Sequence, residues 1–196
     1  MIKDPDQHIR KVLRVKRHDS PPYTGWFKAR RKDLAQIYAD LGYTTGAEIG
    51  VRIGSYSEVL CQTIPELKLL CVDNWLAYGR LTQEAADKNY ERAIERLAPY
   101  DVTFMRATSL DAAPEIPDES LDFVYIDAAH DFDSVMVDII LWAKKVRKGG
   151  AVSGHDYFEF YRAGVVSAVR AYTQAHGIVN WYLTKEKEAS WMWIKK

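Results

Sequence analysis

The chain is poor in cysteine and has no long apolar segment. Its 196 residues include only two cysteines, Cys61 and Cys71, and no Cys-x-x-Cys pair, so a disulfide framework is excluded. No apolar stretch approaches the roughly 20 residues that cross a bilayer. The N-terminus has no apolar block of the signal-peptide type. We therefore predict a cytoplasmic protein without membrane contact.

The formal net charge is zero, because the 27 Lys and Arg residues are balanced by 27 Asp and Glu residues. The charge is unevenly spread: residues 1–40 carry ten basic and five acidic side chains, and the rest of the chain carries 17 and 22. We predict a basic N-terminal arm, residues 1–25, before a single domain, residues 26–196. The basic residues form either a solvated surface or a docking segment for an anionic partner. The arm is also a candidate for packing against a second copy of the chain.

Strand and helix patterns alternate through the domain, and there is no internal repeat. Apolar strands are predicted over residues 47–51, 67–73, 102–105, 121–126 and 151–153, with helical stretches between them. Two aromatic segments near the C-terminus, VNWYLT and SWMWIK, are separated by five residues, which predicts an antiparallel hairpin. The fold class is therefore α/β, a doubly wound, Rossmann-like and mostly parallel sheet with an antiparallel C-terminal strand.

Two of these predicted strands are followed at once by aspartate and histidine. Asp127 and His130 follow the fourth strand, and His155 and Asp156 follow the fifth. The helical pattern between the strands predicts a right-handed crossover and a parallel pair. If the strands are neighbours, they lie about 4.8 Å apart, and the four side chains meet at the edge where open α/β sheets bind ligands. The pattern indicates a metal site or an acid/base site.

The segment from Glu48 to Ser57 joins the first strand to a helix and has the features of a nucleoside site. Gly50 and Gly54 allow a tight turn and a close approach of a ligand to the backbone. The helix N-terminus at Ser55 offers unpaired backbone N–H groups. Asp73 ends the second strand, where a carboxylate can accept two hydrogen bonds from a ribose diol. The segment lacks the G-x-G-x-x-G spacing, which argues against a nicotinamide-dependent oxidoreductase.

These motifs resemble those of class I S-adenosylmethionine (SAM)-dependent methyltransferases. Glu48 to Ser57 resembles the first motif of that family, Asp73 stands where its ribose-binding acid stands, and the aromatic hairpin matches its antiparallel last strand. The resemblance covers roughly residues 44–196. The segments IDAAHDFDSV and WAKKVRKGGAVSGHDY are most similar to the branch that includes macrocin O-methyltransferase and the cephalosporin-cluster methyltransferase-like proteins.

The resemblance implies a set of site residues. It implies a divalent metal, magnesium or manganese, at Asp127, Asp156 and His155, with His130 as the general base. The family usually has an acid where His155 stands. Since imidazole is a poor magnesium ligand, the metal's identity and ligation by His155 stay open. Ser109 has the alternative role of a helix cap. The residues implied for binding SAM are Glu48, Gly50, Gly54, Ser55, Asp73, Ser109 and Asp127.

The resulting hypothesis is a metal-assisted O-methyltransferase that acts on a hydroxyl of a small molecule, such as a sugar or a glycosylated metabolite. The alternative is a non-catalytic nucleoside-fold module that docks an anionic partner or nucleic acid through the basic arm. The gathering of four ionisable groups argues against that alternative, and we do not expect nucleic acid as a partner. Seven aromatic residues are candidates for the acceptor pocket: Tyr23, Trp26, Trp75, Tyr78, Tyr157, Phe158 and Tyr161.

Overall fold

The computed structural model describes residues 2, 4–16, 20–25, 29–159 and 163–196. Within these residues the chain forms eight strands and seven α-helices. The strands are β1 (Tyr23–Thr24), β2 (Thr45–Ile49), β3 (Lys68–Asp73), β4 (Val102–Arg106), β5 (Leu121–Ile126), β6 (Val146–Gly154), β7 (Trp181–Leu183) and β8 (Trp191–Ile194). The helices are α1 (Pro5–Val12), α2 (Arg31–Asp40), α3 (Ser55–Thr63), α4 (Gln83–Leu97), α5 (Ser109–Ala112), α6 (Phe132–Lys145) and α7 (Val165–Ala175).

The eight strands form one sheet in the order β1-β7-β8-β6-β5-β2-β3-β4. Every neighbouring pair is parallel except the two that include β8, which runs antiparallel to both β6 and β7. The predicted fold class, including the antiparallel C-terminal strand, is confirmed. All six residues of β5 are buried, as expected for a central strand covered on both faces.

Helices cover both faces of this sheet. Residues of α1 to α4 pack on one face around Tyr38, Leu60 and Phe123. Residues of α6 and α7 pack on the other face around Ile139, Trp142 and Trp191. Because β2, β3, β5 and β6 run parallel to one another, their carboxyl ends all lie at one edge of the sheet. Among the described residues, no helix is long and apolar enough to cross a membrane.

Several predicted boundaries differ from the structure by a few residues. The sequence pattern also predicts a helix over residues 26–41; as far as the chain is described it begins at Arg31, since residues 26–28 lie outside the described residues. The Gly149–Gly150 pair is a typical helix stop and predicts that the helix before the fifth strand ends there, but both glycines lie inside β6, which begins at Val146 directly after α6. Gly149 donates its N–H to the carbonyl of Lys195, and Gly150 accepts from the N–H of Lys195, so pairing with the C-terminal segment keeps both glycines in the sheet, although Gly149 has a left-handed φ of +76.

The described part of residues 1–25 packs against the domain instead of projecting from it. Helix α1 buries Ile9 completely and is followed by Leu13, which is 1% exposed. His8 Nε2 lies 2.8 Å from Asp40 Oδ2 at the end of α2. Tyr23 and Thr24 extend the sheet by pairing with β7. Arg10 and Lys11 therefore lie on a helix whose apolar side is already covered.

The packing of α1 predicts a stability effect. Ile9→Ala should lower the free energy of unfolding by about 2 to 4 kcal/mol, because it leaves a cavity under the helix. Lys11→Ala, an exposed position on the same helix, should change it by less than about 0.5 kcal/mol. Urea unfolding followed by circular dichroism measures both values. Equal values for the two variants would show that α1 does not belong to the cooperative core.

Candidate active site

The loop after β2 brings the backbone against the loop after β5. Gly50 has φ +91, and a Cβ atom at this position would lie 2.2 Å from the carbonyl oxygen of Asp127. Gly54 has φ +72 and is the N-terminal cap of α3, and a Cβ atom at this position would lie 3.1 Å from the side chain of Leu97. Both positions therefore require glycine, one for close approach and both for a left-handed backbone. Their contact with a cofactor stays a prediction.

Asp73 fastens this loop to the end of β3. Its Oδ2 accepts hydrogen bonds from the backbone N–H groups of Val51 and Arg52 at 2.9 and 2.8 Å. Its Oδ1 accepts from the N–H of Trp75 at 2.9 Å. A carboxylate has about four acceptor positions, so roughly one is left for a ribose hydroxyl while the loop stays in place. The sequence missed this positioning role of Asp73.

Glu48 lies beneath the loop and is 2% exposed. The hydroxyl of Ser57 on α3 donates to Glu48 Oε2, which ties the strand to the first turns of the helix. Burial raises the pKa of Glu48 to about 8, so the side chain is largely protonated at neutral pH. Ser55, the first residue of α3, accepts from Arg96 Nη1 at 3.3 Å.

This buried acid predicts a pH-dependent stability. Glu48 has a pKa of about 8 in the folded protein, above its ordinary value of 4.5. The folded state therefore binds more protons between those values, and its stability falls as pH rises through that window by up to about 1.4 kcal/mol per pH unit. In Glu48→Gln this dependence should be flatter between pH 5.5 and 8.5. Thermal unfolding at four pH values measures it, and parallel curves for the two proteins would contradict the assignment.

The four predicted ionisable residues after β5 and β6 do come together. Ile126 and Gly154 are paired at the ends of the two strands, which places the side chains that follow around one point. His130 Nε2 lies 2.8 Å from Asp156 Oδ2. His155 Nδ1 lies 3.3 Å from Asp156 Oδ1 and 3.8 Å from Asp127 Oδ1.

Three of these residues form a potential ligand set. One ligand atom each from Asp127, His130 and Asp156 lies within 4.8 Å of the others. His155 was predicted as the third ligand in place of His130; its Nδ1 also lies within 4 Å of an oxygen of Asp127 and of Asp156, and its ligation stays a prediction. The four residues line a cavity of about 10 Å³, the scale of a single water molecule or ion. Asp156 has φ +55, a left-handed conformation that aspartate tolerates better than most residues.

The surroundings shift the pKa values of this group in different directions. Burial raises the pKa of Asp127 to about 6, although the neighbouring His155 opposes the shift. Burial also acts to raise the pKa of Asp156, but hydrogen bonds from His130 and His155 outweigh it and hold the pKa well below its usual range. The hydrogen bond to Asp156 raises the pKa of His130. Two neighbouring carboxyl groups whose pKa values are shifted in opposite directions are typical of active sites.

Sequence reasoning missed one cation at this site. The guanidinium of Arg31, at the start of α2, lies 3.7 Å from Asp127 Oδ2. In the sequence Arg31 is one member of a basic run, and no periodicity distinguishes it from Arg30 or Lys32. Only the folded position of α2 brings it to the site.

Ser109 was predicted to contact a cofactor or to cap a helix. Thr108, not Ser109, is the cap of α5 and accepts from the N–H of Asp111. The hydroxyl of Ser109 donates to Asp138 Oδ1 and accepts from Trp142 Nε1 at 2.7 Å. Helix capping by Ser109 is therefore wrong, and its contact with the adenine ring stays a prediction.

The aromatic residues predicted for the acceptor pocket separate into three groups. Tyr23 and Trp75 are core residues, 8% and 3% exposed. The ring of Trp75 packs on Tyr90 with centroids 4.5 Å apart, so neither residue is an open pocket wall. Tyr78 is 71% exposed, and Tyr157 is half-buried with its hydroxyl accepting from Arg170. Phe158 follows Asp156 in the site loop, whereas Trp26 and Tyr161 lie outside the described residues.

A family comparison identifies the class of protein. Residues 47–157, more than half of the chain, match the family described as a methyltransferase domain. The chain therefore belongs to that methyltransferase family. A search among curated proteins gave no match.

Solved structures show the same fold. The O-methyltransferase from Bacillus cereus in complex with S-adenosylhomocysteine (SAH) has a TM-score of 0.65 and 17% identity, covering 100% of this chain and 93% of that one. The O-methyltransferase TomG from Streptomyces achromogenes, involved in tomaymycin synthesis and solved with SAM, has a TM-score of 0.62 and 16% identity, covering 100% and 92%. The prediction of a SAM-dependent methyltransferase is confirmed by the family and the fold together.

Proposed function

We propose that the chain is an O-methyltransferase that takes its methyl group from SAM and transfers it, with the help of a divalent metal, to a hydroxyl of a small molecule such as a sugar or a glycosylated metabolite. The observation that carries the proposal is the cluster of Asp127, His130 and Asp156 beside the Gly50 loop. The oxygen specificity is supported by similar folds in two O-methyltransferases and by the presence of a base and two carboxylates.

The donor atoms of the site fit a divalent cation. Asp127 and Asp156 would hold it through carboxylate oxygens, and His155 Nδ1 lies close to one oxygen of each. A mixed oxygen and nitrogen set suits manganese or iron better than magnesium. When bound, such an ion lowers the pKa of a hydroxyl group that coordinates it.

His130 is the base in this proposal. Its Nε2 is paired with Asp156, so the neutral ring carries its lone pair on Nδ1. Asp156 fixes the ring in this orientation, as a carboxylate does for a catalytic histidine. The acceptor oxygen forms the new C–O bond while the C–S bond of the sulfonium breaks and sulfur keeps the electron pair. The hydroxyl proton passes to Nδ1 of His130, a contribution of about a hundred- to ten-thousandfold in rate.

The experiment is methyl transfer from tritium-labelled SAM to a panel of sugars, glycosides, catechols and amines, with manganese, with magnesium and after chelation. We expect labelled product from hydroxyl acceptors alone, and a large loss after chelation. Transfer to amines alone would overturn the oxygen specificity. Unchanged transfer after exhaustive chelation would remove the metal. Isothermal titration with SAH tests the donor independently of the acceptor.

A further inference from the structure

We infer that Arg31 binds the carboxylate of the methyl donor's amino acid end, next to Asp127, which faces the ammonium group of the same end. This inference rests on the proposed function, because it takes SAM as the donor. It names Arg31 as a donor-binding residue on α2, outside the Gly50 loop and outside the residues predicted from the sequence.

The first argument is that Arg31 and Asp127 are neighbours without being fully paired. Nη1 and Oδ2 lie 3.7 Å apart, which is too long for a hydrogen bond. The two side chains are 37% and 20% exposed, so both are within reach of a ligand. Among the described residues, Asp127 is the carboxylate that pairs with this guanidinium within 4 Å. A guanidinium carries five N–H donors, so donors remain for a ligand beside the contacts of Arg31 with Asp127 and with the hydroxyl of Tyr125.

The second argument is that the backbone holds Arg31 firmly in place. Its N–H donates to Glu186 Oε1 at 2.7 Å, and its carbonyl accepts from the hydroxyl of Tyr56 at 2.9 Å. The guanidinium lies 5.1 Å from the centre of the Tyr56 ring, a cation–π arrangement that limits its rotation. A cation fixed in this way at the edge of a site loses little entropy when it binds an anion.

The third argument is that the two oxygens of Asp127 face different neighbours. Oδ2 faces Arg31, whereas Oδ1 faces His155 and the side of Asp156. One oxygen can therefore serve the donor while the other serves the metal. This arrangement accommodates the two roles that were predicted for Asp127, cofactor binding and metal binding.

The chemistry of the donor matches this pair. The amino acid end of SAM is a zwitterion, with an ammonium and a carboxylate on one carbon atom. Arg31 supplies a planar fork that suits a carboxylate, and Asp127 supplies an acceptor for the ammonium. Gly50 lies against the backbone of Asp127, so a ligand that passes over the Gly50 loop reaches the pair. Binding of the donor in this way would replace the weak ion pair between Arg31 and Asp127 with two contacts of opposite charge, one to each end of the zwitterion.

A carboxylate on the acceptor molecule would present the same chemistry to Arg31, and the test separates the two sources. Isothermal titration compares SAH with 5′-methylthioadenosine, which has the nucleoside and the sulfur but no amino acid end. The variants are Arg31→Ala, Arg31→Lys and the control Lys32→Ala, an exposed cation one residue further along α2. Thermal unfolding shows that each variant is folded.

We expect Arg31→Ala to weaken SAH binding by about tenfold or more, with methylthioadenosine binding unchanged and Arg31→Lys in between. Lys32→Ala should bind both ligands as the parent protein does. Unchanged SAH affinity in folded Arg31→Ala would overturn the inference. In that case, a KM raised only for acceptors that carry a carboxylate would indicate that Arg31 binds the carboxylate of the acceptor. Equal losses for both ligands would also overturn it, because they would indicate a structural effect. Failure of the parent protein to bind SAH would instead overturn the proposed function.

Discussion

Asp156→Asn is expected to reduce the rate of methyl transfer by about a thousandfold or more. The carboxylate of Asp156 accepts a hydrogen bond from His130 Nε2 at 2.8 Å and lies 3.3 Å from His155 Nδ1. An amide would lose the negative charge that favours a cation and that stabilises the protonated base. Since Asp156 does not face Arg31 or the Gly50 loop, the affinity for SAH should stay within about twofold of the parent value.

This substitution keeps the local fold, which makes the result interpretable. Asp156 has φ +55, and asparagine tolerates this conformation as well as aspartate does. Glu159→Gln is the matched control, because it removes a negative charge from an exposed position three residues further along the same loop. Single-turnover rates with labelled SAM and an acceptor from the panel measure both variants. A rate in Asp156→Asn close to that of Glu159→Gln would remove Asp156 from the catalytic site.

The convergence of Asp127, His130, His155 and Asp156 was predictable because it depends on two strong rules. The apolar runs of β5 and β6 identify central strands, and the helix between them requires a parallel crossover. The register follows from the pairing of Ile126 with Gly154, which puts the next residues of both strands at one edge. Four polar residues at that position were therefore enough to predict where these side chains meet.

The roles of individual side chains were less predictable, because they depend on contacts between distant segments. Trp75 follows the acid of β3, where a pocket wall is reasonable, but its ring packs on Tyr90 and its Nε1 donates to the carbonyl of Arg52. Asp73 carries the pattern of a ribose ligand and also binds two N–H groups of the Gly50 loop. Residue type and strand position predict that Asp73 is a ribose-binding carboxylate. They do not predict how many backbone N–H groups the same carboxylate also binds.

The N-terminal segment was the hardest part to predict. Strand β1 has two residues, too few for an alternating pattern, and it pairs with β7, which lies far along the chain. Basic residues dominate the segment, so its charge conceals the apolar positions Ile9 and Leu13. Helix α1 also contacts the end of α2 through His8 and Asp40, so the described part of the predicted arm belongs to the folded domain.

Gly50→Ala is expected to have the largest combined effect on stability and donor binding. A Cβ atom at Gly50 would lie 2.2 Å from the carbonyl oxygen and 2.5 Å from the carbonyl carbon of Asp127. These are backbone atoms between two central strands, so no side-chain rotation can relieve the contact. The positive φ adds about 1 to 2 kcal/mol of strain. We expect the free energy of unfolding to fall by about 3 kcal/mol or more and SAH binding to weaken by at least about tenfold.

The control variant Gly79→Ala separates the effect of backbone strain from the effect of close contact with Asp127. Gly79 also has a positive φ, +56, but no atom lies within 4 Å of the Cβ position. It should therefore lose only about 1 kcal/mol of stability and none of its affinity for SAH. Urea unfolding and titration with SAH measure both variants. If Gly50→Ala loses no more than Gly79→Ala, the loop moves freely away from Asp127, and the close approach cannot position the donor. If it loses far more, the close approach of Gly50 to Asp127 is what holds the loop after β2 against the acid cluster.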